Sequence, residues 1–236
     1  RGDFMVNRTV QGLLPGDIKT PLIKTNRPSN FSFSMLDGEI GLIDFRSMND
    51  SKRFKSFLDS SFQVLNDRGA KSLIIDVREN GGGNSNLAKS LFNHIYDKPY
   101  KMADKVIVKT SPTAKEYARK RHVKWYMYPL YPLVYLDKGA HATLAKKDGS
   151  LTEINGSFIK PAKNRKNRYT GSVYLLMGNR TFSSAHMLAS SFSCYEMGTT
   201  IGEETGQPLI SYGELVYMKL PNTRCDACSS NKSFYQ

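Results

Sequence analysis

An α/β fold is predicted for this chain from three observations. Short apolar runs alternate with stretches whose apolar residues recur at helical spacing. One run, Leu73 to Val77, is apolar on both faces apart from Asp76, the pattern of a strand covered by helices. Two of the runs pass directly through a turn into a helical pattern, as α/β units do.

The elements follow in order. Arg1 to about Asn30 holds Pro15, Pro21 and Pro28 and reads as a connector with an edge strand or two. Its first residues have neither the basic nor the apolar part of a signal peptide and look like a cut end, so residues 1–30 are taken to continue from an upstream region. An alternating pattern begins at Phe31, and Ile40 to Phe45 is a strand. Phe54, Phe57, Leu58, Phe62 and Leu65 then give one apolar helix face, with Asn49, Asp50 and Ser51 as capping types and Gly69 as the stop. After Leu73–Val77, a second amphipathic helix is marked by Leu87, Ala88, Leu91 and Ile95. Val106 to Val108 is a short strand.

Residues 112–167 are less regular and read as an insertion on a core of residues 31–236. It comprises a basic helical stretch, an aromatic cluster from Trp125 to Tyr135 and polar loops. It suits a lid over substrate or a packed side layer equally well. The core resumes with a strand from Val173 to Met177 and a helix from near Ser183 to about Phe192. Ile201 to Gly206 is a strand end and turn, and Leu215 to Met218 is the last clear strand.

Composition narrows the function classes. The net charge is +13, which would suit nucleic acid or an anionic surface. The charge, however, gathers at Lys115 to Lys124 and Lys160 to Arg168, and no nucleic-acid-binding motif accompanies it. Solvated basic loops are the reading adopted. No run of about 18 apolar residues is present to span a membrane. Of three cysteines, Cys225 and Cys228 form a Cys-Asp-Ala-Cys surface turn with ordinary thiols or a local disulfide; it lacks the further ligands zinc needs, so no metal and no cofactor is expected.

Chemistry concentrates in two segments. Leu73-Ile74-Ile75-Asp76-Val77-Arg78-Glu79-Asn80-Gly81-Gly82-Gly83 ends in three glycines, which let backbone approach a substrate closely. Val173-Tyr174-Leu175-Leu176-Met177-Gly178-Asn179-Arg180-Thr181-Phe182-Ser183-Ser184-Ala185 ends in a serine pair at a helix start, where unpaired N–H groups carry positive potential. A serine acyl hydrolase needs a nucleophile and backbone N–H groups aimed at an oxyanion, and these segments supply one each. Alone, each has a plainer explanation: a loop in the first case, a helix N-cap in the second. No Lys-Ser/Thr follows the glycines, so a phosphate-binding loop is excluded.

Together these segments resemble the C-terminal processing (tail-specific) serine peptidase family, in its tricorn-core and interphotoreceptor retinoid-binding branch. Ile40 to Phe45, Ile201-Gly202-Glu203-Glu204-Thr205-Gly206 and Leu220-Pro221-Asn222 extend the likeness, the last toward extracytoplasmic bacterial members. The resemblance implies a Clp-protease/crotonase-like core of stacked β-β-α units. It implies Ser184 as nucleophile, with amides of Gly82 or Gly83 and of Ala185 as the oxyanion hole. It further implies a polypeptide substrate and a place in the periplasm or cell envelope.

The base is the gap in the pattern. The family's lysine-dyad branch carries its lysine soon after the Gly-Glu-x-Thr turn; here that stretch is Thr205-Gly206-Gln207-Pro208. His186 lies about 200° around a helix from Ser184. His94 suits a surface flank, and His122 and His141 fall in the insertion. Relatives place a histidine before the core, in an Asp-Gly-His-Thr-like setting absent here. The base is therefore expected from a histidine outside this chain. Glu204 is a candidate to orient such a histidine or hold substrate. A non-catalytic peptide- or polymer-binding module on the same fold is the alternative. A crotonase-like acyl-thioester enzyme ranks third, because it leaves Ser184 unexplained.

Overall fold

A computed structural model of the chain describes residues 29–36, 39–122, 133, 136–162 and 168–236. Most of the proposed connector and the Trp125–Tyr135 aromatic cluster lie outside these residues. The architecture is α/β with two sheets. The first has the order β1 (Phe31–Leu36), β2 (Ile40–Phe45), β3 (Ser72–Asp76), β6 (Ser172–Met177), β7 (Thr199–Gly202). Only the β1–β2 pair is antiparallel; the other three pairings are parallel.

Helices α1 (Ser51–Asp67), α2 (Asn86–Ile95) and α5 (Ser184–Cys194) share a core with this sheet. The period-2 positions Ile43, Phe45, Leu73, Ile75, Val173 and Leu175 meet Phe54, Leu58, Phe62, Leu91, Phe92, Leu188 and Phe192. Helix α1 begins where the Asp50 side chain accepts the Arg53 N–H at 3.4 Å, and stops at Gly69, whose φ of +61° suits glycine.

The opposite sheet face corrects the expectation of a strand covered on both sides. Leu42, Ile74, Tyr174 and Leu176 are only half-buried there. Register explains it, for this face also carries Ser32, Ser34, Asp44 and Asp76, and both carboxylates are held by arginines. Arg46 pairs with Asp44 at 2.7 Å, and Arg78 grips Asp76 through two guanidinium nitrogens. Burial pushes the Asp76 carboxyl up, but the Arg78 bonds outweigh it and hold it below its usual range.

The second sheet is antiparallel, ordered β5 (Leu151–Asn155), β4 (Lys105–Lys109), β9 (Asp226–Tyr235), β8 (Ile210–Lys219). Helices α3 (Pro112–His122) and α4 (Lys138–Leu144) pack against it. Strand β9 goes unread in the sequence because Asp226-Ala227-Cys228-Ser229-Ser230-Asn231 is polar with little β-branching. The Cys-Asp-Ala-Cys segment is accordingly not all turn: Cys228 lies in β9, and both cysteines are exposed free thiols. No helix among the described residues is long and apolar enough to cross a membrane.

Phe62 of α1 is fully buried, its ring stacked on His94 of α2 and packed beside Tyr169. Phe62→Ala should lower the unfolding free energy by about 3–5 kcal/mol, read as a shift of the urea midpoint at unchanged slope.

Candidate active site

The site is built where β3 and β6 end. Beyond β3 the chain turns through Asn80, which is fully buried. Its Nδ2 donates to the Phe45 carbonyl at 2.7 Å, and its Oδ1 accepts the Gly82 N–H at 2.9 Å. Its own carbonyl accepts the Phe182 N–H at 3.0 Å. Beyond β6, buried Thr181 donates through Oγ1 to the Val77 carbonyl at 2.8 Å and accepts the Gly178 N–H at 3.1 Å. An exposed Arg180–Glu79 pair at 2.8 Å spans the two turns outside.

The glycine loop is wedged between two backbones. A Cβ on Gly82 (φ +96°) would lie 2.7 Å from Ser183 Cβ and 2.9 Å from Ser184 N. A Cβ on Gly83 (φ +135°) would lie 2.5 Å from the Met48 carbonyl oxygen. Met48 brackets the loop, its N–H donating to Gly82 O at 3.0 Å and its carbonyl accepting the Asn84 N–H at 2.8 Å. Both glycines are therefore required sterically as well as conformationally.

Ser184 is the first residue of α5, and its Oγ donates to the Gly83 carbonyl at 2.7 Å. The sequence pairing of serine helix and glycine loop is thus a direct contact. Ser183, before it, sits at φ 54°, ψ −124° and makes no capping bond with its side chain. Such a conformation costs a non-glycine residue about 1–3 kcal/mol and persists only when the surroundings impose it. The Ser183 N–H donates to Gln207 Oε1.

The amides are not equivalent. Gly82 N–H is committed to Asn80, and Ala185 N–H donates to the Phe182 carbonyl at 3.0 Å. The N–H groups of Gly83 and Ser184 carry no hydrogen bond among the described residues. Gly83 and Ser184 also line a cavity of about 650 Å³, together with Asn49, Ser183, Met187 and Gln207, and with Ser211 to Glu214 and Phe234 of the second sheet.

None of His94, His141 and His186 lines that cavity. His94 is buried rather than on a surface flank: Nδ1 lies 2.9 Å from the Ser90 carbonyl, Nε2 3.3 Å from Asp59, and the ring stacks on Phe62. The apolar side of α2 carries His94 inward as its neighbour Ile95 does. His141 is exposed on α4, and the His122 side chain lies outside the described residues. His186 points away from Ser184, its Nδ1 2.6 Å from Thr205 Oγ1. Burial lowers its pKa, the Pro208 carbonyl drawing it the other way, while Nε2 makes no well-formed bond. Glu204 shares a separate 530 Å³ cavity with His186. The carboxylate in the Ser184 cavity is Glu214, at φ 55° and 3.6 Å from Lys232. Sequence reasoning missed Asn80, Thr181, Gln207 and Glu214 as site builders; the hydrogen bonds of the first three and the backbone angle of Glu214 appear only in three dimensions.

A family model for peptidase family S41 matches residues 39–210, a span holding both turns. The chain belongs to peptidase family S41. No curated protein sequence matches it. Among solved structures, this S41 chain is similar to mature CPAF in complex with lactacystin (TM-score 0.57, 15% identity, 84% of this chain and 44% of that one). It is also similar to a protein of Parabacteroides merdae ATCC 43184 provisionally described as a peptidase (TM-score 0.53, 17% identity, 87% and 49%). These likenesses show a common fold. The S41 chain spans about half the length of the structures it matches.

Asn80→Ala should cost roughly 2–4 kcal/mol, because two buried partners lose their bonds together; chemical denaturation measures it. Burial resists protonation of His186, so its folded pKa lies below its unfolded one. Its stabilising contribution is full above about pH 6.5 and is lost as pH falls through the folded value. Urea midpoints from about pH 7 down to 5 should drop in the wild type and drop less in His186→Asn.

Proposed function

We propose that this chain carries the nucleophile and oxyanion-binding half of a serine peptidase acting on polypeptides. The observation that supports it is the 2.7 Å contact of Ser184 Oγ with the glycine loop, at the wall of a cavity of about 650 Å³. Ser184 Oγ attacks the scissile carbonyl carbon as its proton passes to a base. The carbon–nitrogen bond then breaks, the base returns the proton to the leaving amine, and water hydrolyses the acyl ester. Gly83, not Gly82, offers the loop donor to the oxyanion, since the Gly82 amide serves Asn80. The family likeness gives Ala185 as the second donor, and its amide must release the Phe182 carbonyl to serve the oxyanion.

We propose that the base is a histidine outside the 236 residues; among the described side chains, those of His94, His141 and His186 do not line the cavity. That same observation favours a second reading, a peptide-binding module without turnover. On the family likeness of Leu220-Pro221-Asn222, we place the protein outside the cytoplasm, which cell fractionation tests.

A serine-reactive fluorophosphonate decides between the readings. The protein extended to the length of its relatives should label at Ser184 and cleave casein. Ser184→Ala should abolish both, with loss of turnover on the order of a millionfold or to background. The 236-residue chain should label far more slowly. Casein-derived peptide bound without cleavage or labelling by the extended protein would establish the binding module instead.

A further inference from the structure

The turn that carries Ser184 is held from below by the glycine loop and from the side by one amide. We propose that Gln207 is a positioning residue, whose Oε1 clamps the Ser183 N–H and so sets the direction in which the Ser184 hydroxyl points. The proposal rests on the peptidase reading above.

Ser183 cannot hold φ 54°, ψ −124° by its own preference, and its side chain makes no cap. Rotation about its two dihedrals would swing Ser184 bodily, because Ser184 is the next residue. Three bonds steady the turn through backbone: Phe182 N–H to Asn80, Ala185 N–H to Phe182, and Met187 N–H to the Ser183 carbonyl. The bond from Ser183 N–H to Gln207 Oε1 is the side-chain contact on the strained residue itself. Gln207 lines the same cavity as Ser184, so the clamp acts at the wall where substrate would lie.

Gln207 is itself well anchored. Gly206 N–H donates to the Thr181 carbonyl at 3.1 Å, tying the 205–208 turn to the turn that precedes Ser183. Thr205 Oγ1 meets the buried His186 Nδ1 at 2.6 Å on the far side of α5. Pro208 follows, and a residue before proline is biased toward extended backbone. Helix α5 is thereby gripped on both flanks, by the glycine loop at Ser184 and by this turn at His186. The chemistry also requires an acceptor: an N–H facing the side chain fixes the amide with oxygen toward Ser183.

The test uses the extended protein and three variants. Gln207→Glu keeps an acceptor oxygen at the same reach. Gln207→Met keeps the length and removes the acceptor, while Gln207→Asn keeps the amide but is one methylene short. Fluorophosphonate labelling of Ser184 should slow about tenfold in the Met and Asn variants and stay within about threefold of wild type in Glu. With peptide substrate, kcat should carry the loss and KM should not. Amide hydrogen exchange at Ser183 should accelerate about tenfold in Met and Asn alone. Wild-type labelling and exchange in both Met and Asn would overturn the proposal. Failure of the wild type itself to label would sink the peptidase reading, while Ser183 exchange would still accept or reject the clamp.

Discussion

Everything at the site depends on one buried side chain. The Asn80 amide joins the end of β2 to the glycine loop, and its backbone carbonyl receives the turn that leads to Ser184. Asn80 is cut off from water, so displacement of any of the three segments strands a polar group at roughly 1–3 kcal/mol. Thr181 repeats the arrangement from the other side, tying the serine turn to the last residue before the glycine loop's bend. The two turns are therefore one unit, and the strained Ser183 survives because that unit has no relaxed alternative.

The larger fold serves this unit. Parallel pairing of β2, β3 and β6 brings their carboxyl ends to one edge of the sheet, where α/β proteins place ligands. Three helices cover one sheet face with large side chains, giving the turns a rigid floor. The second sheet supplies the far wall of the cavity through β8 and Phe234. Glu214 of β8, at φ 55°, and Ser183, at the start of α5, both line this one cavity.

Secondary structure was legible wherever a periodic apolar pattern existed. Ile40–Phe45 forms a strand with those bounds, and α1 starts and stops at Asp50 and Gly69 as the capping types indicate. The polar strand β9 was not legible, because its pairing with β4 and β8 overrides weak local preference. His94 was misread for a related reason: it lies on the inward side of α2, where Phe62 and Asp59 of α1 receive it. The outer face of the Leu73–Val77 strand was read as covered from hydrophobicity alone, whereas Ser32, Ser34 and Asp44 join Asp76 there from neighbouring strands and reveal themselves only in register.

The chain by itself determined that a serine at a helix start and a triglycine loop each follow a buried strand, since apolar periodicity and turn residues are local properties of a polypeptide. Tertiary structure alone decided that the Ser184 hydroxyl touches Gly83, that among the described residues the amides of Gly82 and Ala185 are engaged while that of Gly83 is not, and that the Ser183 N–H meets Gln207 Oε1. Those facts follow from which strands become neighbours and which polar groups find partners when water is excluded. The Ser184–Gly83 contact joins residues 101 positions apart and the Ser183–Gln207 bond residues 24 apart, so no local pattern holds both ends of either.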